Sequence, residues 1–239
     1  MIYITGAIMA FAFFIQILMG FGGGLIAIPL LSLFVPISYA VTLVMIFQFL
    51  TGFAVIASRK DIDWSIIKAV MPATCLGIII GVFGLRYIND DLVRIFLAAF
   101  LIIYLLKSIF GIDFIKNSVV KIGDHGVGLL GGFIAGLIGM GAPIYVVYFA
   151  EKGIKNASFR ANMLTILFIS YVLRLPLSAG LGFIDKNMLI NAAYILPAFL
   201  IAIFLAQKIH LKIPEALFKN IVNILLGLST IVLLTKVFI

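Results

Sequence analysis

Two glycine runs interrupt long apolar stretches of the chain. They are Gly20-Phe21-Gly22-Gly23-Gly24, followed by Pro29 and Pro36, and Gly139-Met140-Gly141-Ala142-Pro143. Glycine lets a chain turn at φ > 0 and lets other groups approach the backbone closely. A helix that restarts after such a break has first-turn N–H groups with no partner inside the helix, and its dipole places positive charge at the same end. Together these make a site for an anion, and Pro143 suits the first position of such a helix. The competing role is close helix packing of the small-xxx-small kind. Two matching runs, each at the break of an over-long stretch, favour the site: Gly20, Gly22, Gly23 and Gly24 in one, Gly139, Gly141, Ala142 and Pro143 in the other.

Arg174 is the second chemical signal. It lies within Ser170-Tyr171-Val172-Leu173-Arg174-Leu175-Pro176, deep inside an apolar stretch. An arginine near mid-membrane costs at least ~2.5 kcal/mol, so it faces a cavity or a partner. Beside the glycine site it supplies a fixed charge and a planar fork suited to an oxyanion. Snorkelling towards the interface near Gly182, or pairing with a backbone carbonyl, are its structural alternatives. Gln48, Thr51, Asn162, Thr165 and Ser170 are polar neighbours that can share the cavity or bond between helices.

Other chemistry is missing from the pattern. The acids, from Asp61 and Asp63 through Asp124 and Glu151 to Glu215, sit in loops or near stretch ends. No proton relay is visible inside the membrane stretches. His125 and His210 are far apart, and no metal-ligand spacing or catalytic dyad assembles. The reading is not an enzyme, with no cofactor and no metal. Cys75 is the sole cysteine, so there is no disulfide framework.

The elements that must hold these residues are dictated by composition. Of 239 residues, 64% are hydrophobic and only 11% charged, with a mean hydropathy of +1.30. A soluble domain carries roughly a quarter charged residues, so soluble and disordered chains are both excluded. The net charge of +8 is spread singly between apolar runs, which does not suit nucleic acid. The chain reads as an all-α polytopic membrane protein whose surroundings are the lipid bilayer. Met1 to Phe14 has no basic leader and no small-residue cleavage site, so it reads as the first membrane segment.

Eight apolar stretches stand between polar breaks, at 2–36, 38–58, 64–85, 92–110, 122–150, 160–184, 187–207 and 215–238. Aligning Gly20 with Gly139 also aligns Gly22 with Gly141, a shift of 119. Ser38 then pairs with Ser158, Ile62-Asp63 with Ile184-Asp185, and Leu92-x-Arg94 with Leu217-x-Lys219, at shifts of 120, 122 and 125. Slow growth of the offset is what loop insertions give two copies of one unit, here 1–117 and 118–239. Such duplication is common in transporters.

Loop charges decide whether stretches 2–36 and 122–150 cross once or turn back. With Lys68 and Arg174 left out because they sit within spans, single crossings divide the other basic residues seven against eight. If each stretch is a helix–break–helix hairpin, eleven from Arg59 and Lys60 to Lys219 share one side, leaving Arg86, Arg94, Lys186 and Lys236 on the other. The uneven split obeys the positive-inside rule. It implies two inverted repeats, each a glycine-broken re-entrant hairpin plus three transmembrane helices, with both termini outside a plasma membrane. The second arms, roughly Leu25 to Val35 and Pro143 to Ala150, cover about half of the hydrocarbon.

At the two breaks the chain resembles the TauE/SafE family, also called the sulfite exporter family. The residues that carry the resemblance are Gly20-Phe21-Gly22-Gly23-Gly24 with Pro29, and Gly136-Leu137-Ile138-Gly139-Met140-Gly141-Ala142-Pro143 with Tyr148 and Arg160. Ala142 stands where a glycine before the proline is usual. The resemblance implies transport of small sulfur-containing or organic anions: sulfite, sulfonate, sulfoacetate or thiosulfate. The expectation is then alternating access around a midplane site between the two breaks, aided by Arg174. An anion channel and a non-transporting membrane subunit are the alternatives. Which anion, which direction, which coupling ion and which oligomeric state, a homodimer included, stay open.

Overall fold

The computed structural model describes residues 2–19, 22–53, 60–110, 114–154, 156–208 and 215–238. It is helical throughout, with no strand among the described residues. In chain order the helices are α1 (Ile2–Met19), α2 (Gly23–Ser32), α3 (Ile37–Gly52), α4 (Trp64–Tyr87) and α5 (Asp90–Phe110). They continue with α6 (Phe114–Ile138), α7 (Ala142–Glu151), α8 (Asn156–Gly180), α9 (Lys186–Lys208) and α10 (Glu215–Phe238). Four of them, α4, α5, α8 and α9, are long and apolar enough to cross a membrane.

Both expected breaks fall between helices, and the short second arms are there. α2 and α7 have 10 residues each, so each is about 15 Å long, half of a ~30 Å hydrocarbon core. The expected arm at Leu25–Val35 starts earlier, at Gly23, and ends at Ser32. Segment 114–122 differs from the loop expected before the second hairpin. It is helical up to Gly123, whose φ of 65° interrupts α6, because no glycine or proline precedes that point in the segment.

The described residues form two compact units. The first comprises 1–44, 89–112 and 184–239 and holds α1, α2, the first half of α3, α5, α9 and α10; the second comprises 45–88 and 113–183 and holds the second half of α3, α4, α6, α7 and α8. Each unit thus takes one hairpin from one half of the sequence and other helices from the other half.

In the first unit α1 packs along α9. The fully buried ring of Phe13 meets Phe199 edge-on, with centroids 5.0 Å apart. In the second unit α6 packs along α4 through glycines instead. A Cβ at Gly77 would stand 2.7 Å from the Phe133 nitrogen, and one at Gly136 would stand 2.9 Å from the Gly81 Cα. Gly128 and Gly132 meet the Val70 and Thr74 carbonyls in the same way. Glycines four apart on both helices leave the two backbones in contact.

The outward faces carry large apolar side chains, among them Leu76, Ile80 and Phe83 of α4 and Leu200, Ile201 and Phe204 of α9. In water, such faces would be an aggregation hazard; a lipid environment removes it. Asp63 caps α4, its carboxylate accepting from the Ser65 N–H at 3.0 Å and the Ile66 N–H at 3.4 Å. Trp64, about half exposed, is the first residue of that helix.

Candidate functional site

The second break is built by three backbone features. Gly139 takes φ 75°, a conformation that glycine adopts without strain, and its N–H closes on the Ala135 carbonyl at 3.0 Å. Gly141 lies against α6, where a Cβ would come 2.7 Å from the Ala135 Cβ. Its role is therefore close packing of the hairpin. Pro143 is the second residue of α7 rather than the first, and its missing N–H is still one that the helix leaves unbonded. Ile144 donates to the Gly141 carbonyl at 3.1 Å.

Arg174 reaches this break from α8. Its Nη2 donates to the Gly136 carbonyl at 2.9 Å, one of the last carbonyls of α6, which have no acceptor role inside the helix. A cation at a helix C-terminus also meets the negative end of the dipole. The carbonyl pairing anticipated as a structural alternative is thus present, but it uses only part of the guanidinium. The side chain is 2% exposed, Nε has no hydrogen-bond partner, and no acid pairs with Arg174 among the described residues.

The first break is made differently. Gly22 takes φ 103° and its carbonyl accepts from the Ile26 N–H at 3.1 Å. Gly23, the first residue of α2, donates its N–H to Oε1 of Gln16 at 3.0 Å. The positive end of α2 thus already holds a side-chain oxygen. Gly24 is buried in the same turn, and Gly20 lies outside the described residues. Gln16 was not singled out in the sequence, although a buried amide seven positions before Gly23 is a readable signal.

The remaining polar candidates scatter along α8 and α3. Ser170 is one turn from Arg174 on the same helix face, and its hydroxyl donates to the Ile166 carbonyl at 2.6 Å. Asn162 is twelve residues from Arg174, about 18 Å along the helix. It is fully buried, accepts from the Asp63 N–H at 2.8 Å and donates to Ser158 at 3.2 Å. Those bonds fasten the start of α4 to α8. Thr165 donates to the Ala161 carbonyl at 2.7 Å, and Thr51 to the Gln48 carbonyl at 2.8 Å. Gln48 is buried on the end of α3, which packs on α8 through Met45 with Ser178 and through Phe49 with Phe168. Arg174 lies between those two contacts on α8.

The arrangement has no metal-binding cluster among the described residues. It presents a buried guanidinium with unused donors, backed by helix ends, which suits an acceptor-only ligand such as an oxyanion.

Residues 5–233 match the family model described as sulfite exporter TauE/SafE. The chain is also similar to the probable sulfite/organosulfonate exporter TauE of Cupriavidus necator, at 21% identity over 236 residues, 94% of this chain and 90% of that protein. No solved structure matches it.

Proposed function

The chain belongs to the sulfite exporter TauE/SafE family, and from that premise we propose that it exports a small sulfur oxyanion, sulfite or an organosulfonate, with Arg174 as the cation that binds it. The observation that carries this reading is the state of Arg174. A guanidinium that is 2% exposed, with an unbonded Nε and no acidic partner among the described residues, is a buried charge without its counter-ion. Such a charge costs several kcal/mol. A mobile anion offsets that cost each time it binds, and the forked donors fit two oxygens of one sulfonate or sulfite.

Alternating access around the glycine breaks is the mechanism this reading takes. Its supports are the duplicated sequence pattern and the matching element pairs: in each unit the first helix of one half packs on the fourth helix of the other, α1 on α9 and α6 on α4. The Gly23 N–H, held by Gln16, makes the first break the weaker anion contact of the two.

Counterflow in proteoliposomes tests the function. Vesicles preloaded with unlabelled sulfite should accumulate labelled sulfite transiently and saturably, and Arg174→Ala should abolish the accumulation. A current that never saturates would make the protein a channel. Accumulation unchanged in Arg174→Ala would return the arginine to a purely structural cap of α6.

A further inference from the structure

The end of the second hairpin away from the glycine break holds polar groups that the Arg174 site does not use. Asp124 follows the Gly123 interruption and opens the part of α6 that runs to the break. Lys152 ends α7, where Gly153 at φ 69° and a 2.9 Å bond from the Ile154 N–H to the Phe149 carbonyl close the helix. The Lys152 Nζ and Asp124 Oδ1 are 3.0 Å apart, their side chains 46% and 35% exposed. Each charge sits at the helix end whose dipole favours it, and the pair joins the two arms of the hairpin.

Tyr148 lies beneath this pair, one turn before Lys152. It is 3% exposed, and the Lys152 Nζ stands 5.3 Å from its ring centroid. The Asp124 carboxylate is placed to accept from its hydroxyl and the charge of Asp63 reaches it, but no bond of full hydrogen-bond geometry satisfies that buried group. A buried donor so loosely satisfied leaves room for an exchangeable acceptor. A half-exposed ion pair is readily exchanged, because water and other ions compete for both members.

We propose that the Lys152 ammonium and the Tyr148 hydroxyl form a loading subsite for the exported oxyanion, closed by the Asp124 carboxylate while the anion is absent. Both groups are donors, and the ligand resident between them is a carboxylate, so the exchangeable ligand is an acceptor-only anion of similar size. The subsite is one length of α7, about 15 Å, from the break that Arg174 serves, and is therefore a separate stop on the route. It lies at the end of the unit where Asp63 caps α4. The inference rests on the reading of the chain as an oxyanion exporter whose basic side faces the cytoplasm.

The test is thermal stabilisation of the purified full-length protein by sulfite and by sulfoacetate, titrated at constant ionic strength against chloride. The wild type is compared with Lys152→Gln, Tyr148→Phe, Asp124→Asn and Arg174→Ala, and the half-saturating anion concentration is read for each. Lys152→Gln should raise it about tenfold and Tyr148→Phe about threefold, while Asp124→Asn should lower it about threefold because the competing carboxylate is gone. Both members of the ion pair lose the inter-arm link, so the ligand-free Tm falls in both; only the anion dependence moves in opposite directions. Three half-saturations within about twofold of wild type, or Asp124→Asn weakened like Lys152→Gln, would overturn the subsite. If the response disappears in Arg174→Ala alone, the Arg174 reading stands and the subsite falls. If it disappears in Lys152→Gln and survives in Arg174→Ala, the reverse holds. A wild type that responds to neither anion removes both.

Discussion

The two glycine-broken hairpins start from related sequence and are held by opposite means. In the first, α1 meets α9 through bulky side chains, Phe13 against Phe199, and the break is closed by the Gln16 amide on the Gly23 N–H. In the second, α6 meets α4 through backbone against backbone at Gly77, Gly81, Gly132 and Gly136, and the break is met by the Arg174 guanidinium on the Gly136 carbonyl. The polar partner of the first break is an acceptor that occupies the positive end of a helix. That of the second is a donor with capacity left over. Two similar glycine motifs are therefore held differently, one with its helix end occupied by an acceptor and the other with donors left over.

The difference can be broken first at the packing. Gly132→Leu places a branched side chain where a Cβ already meets the Thr74 backbone, and the two helices must separate. Loss of folded protein is expected, at about 3 kcal/mol or more, since overpacking alone reaches that size. Phe13→Ala in the first unit leaves a cavity rather than a clash and should cost about 3 kcal/mol, read as a lower Tm with the fold retained. An equal tolerance of both changes would mean that the two hairpins are packed alike.

The next contrast is in anion response. Arg174→Ala should weaken sulfite binding about 100-fold, the loss of one buried charged partner. Gln16→Ala instead leaves a buried N–H unbonded and should cost about 1–3 kcal/mol of stability, with sulfite affinity within about twofold of wild type. If Gln16→Ala tightens sulfite binding as strongly as Arg174→Ala weakens it, the first break is a full anion site that Gln16 blocks.

The smallest effect expected is at the turns themselves. Gly22→Ala and Gly139→Ala each place a Cβ at positive φ, at 103° and 75°, costing about 1–2 kcal/mol. Neither should change the half-saturating sulfite concentration by more than about twofold. A larger change for Gly139→Ala alone would place the anion directly on that turn.

Much of the architecture was legible from the chain. The over-long stretches with central glycines read as broken near their middles, and each is a long helix followed by a short one, α1 with α2 and α6 with α7. Helix length and apolarity are local properties, set by residues adjacent in sequence, so they survive without knowledge of what packs on what. Arg174 was legible for a similar reason, because a charge inside an apolar stretch is conspicuous wherever it lands.

What depended on the tertiary structure was every partnership between distant residues. The sequence pattern divides the chain at 117/118, yet the compact units interleave the two halves. Which helices pack together depends on complementary surfaces that no single stretch displays. Gly141 was read as a ligand contact from its place in the break, yet it lies packed against Ala135 of α6. Asn162, placed with the polar site from its type alone, belongs to a bond with the Asp63 backbone about three turns of helix away from Arg174. The partner of Arg174 is itself a backbone carbonyl, a group every residue carries, so side-chain type could never single it out. Composition and the glycine runs determined that this is a helical membrane protein with two over-long stretches broken near their middles, because those follow from transfer energy and backbone freedom; which break keeps a free donor was decided by the fold, because an unpaired group exists only relative to its neighbours.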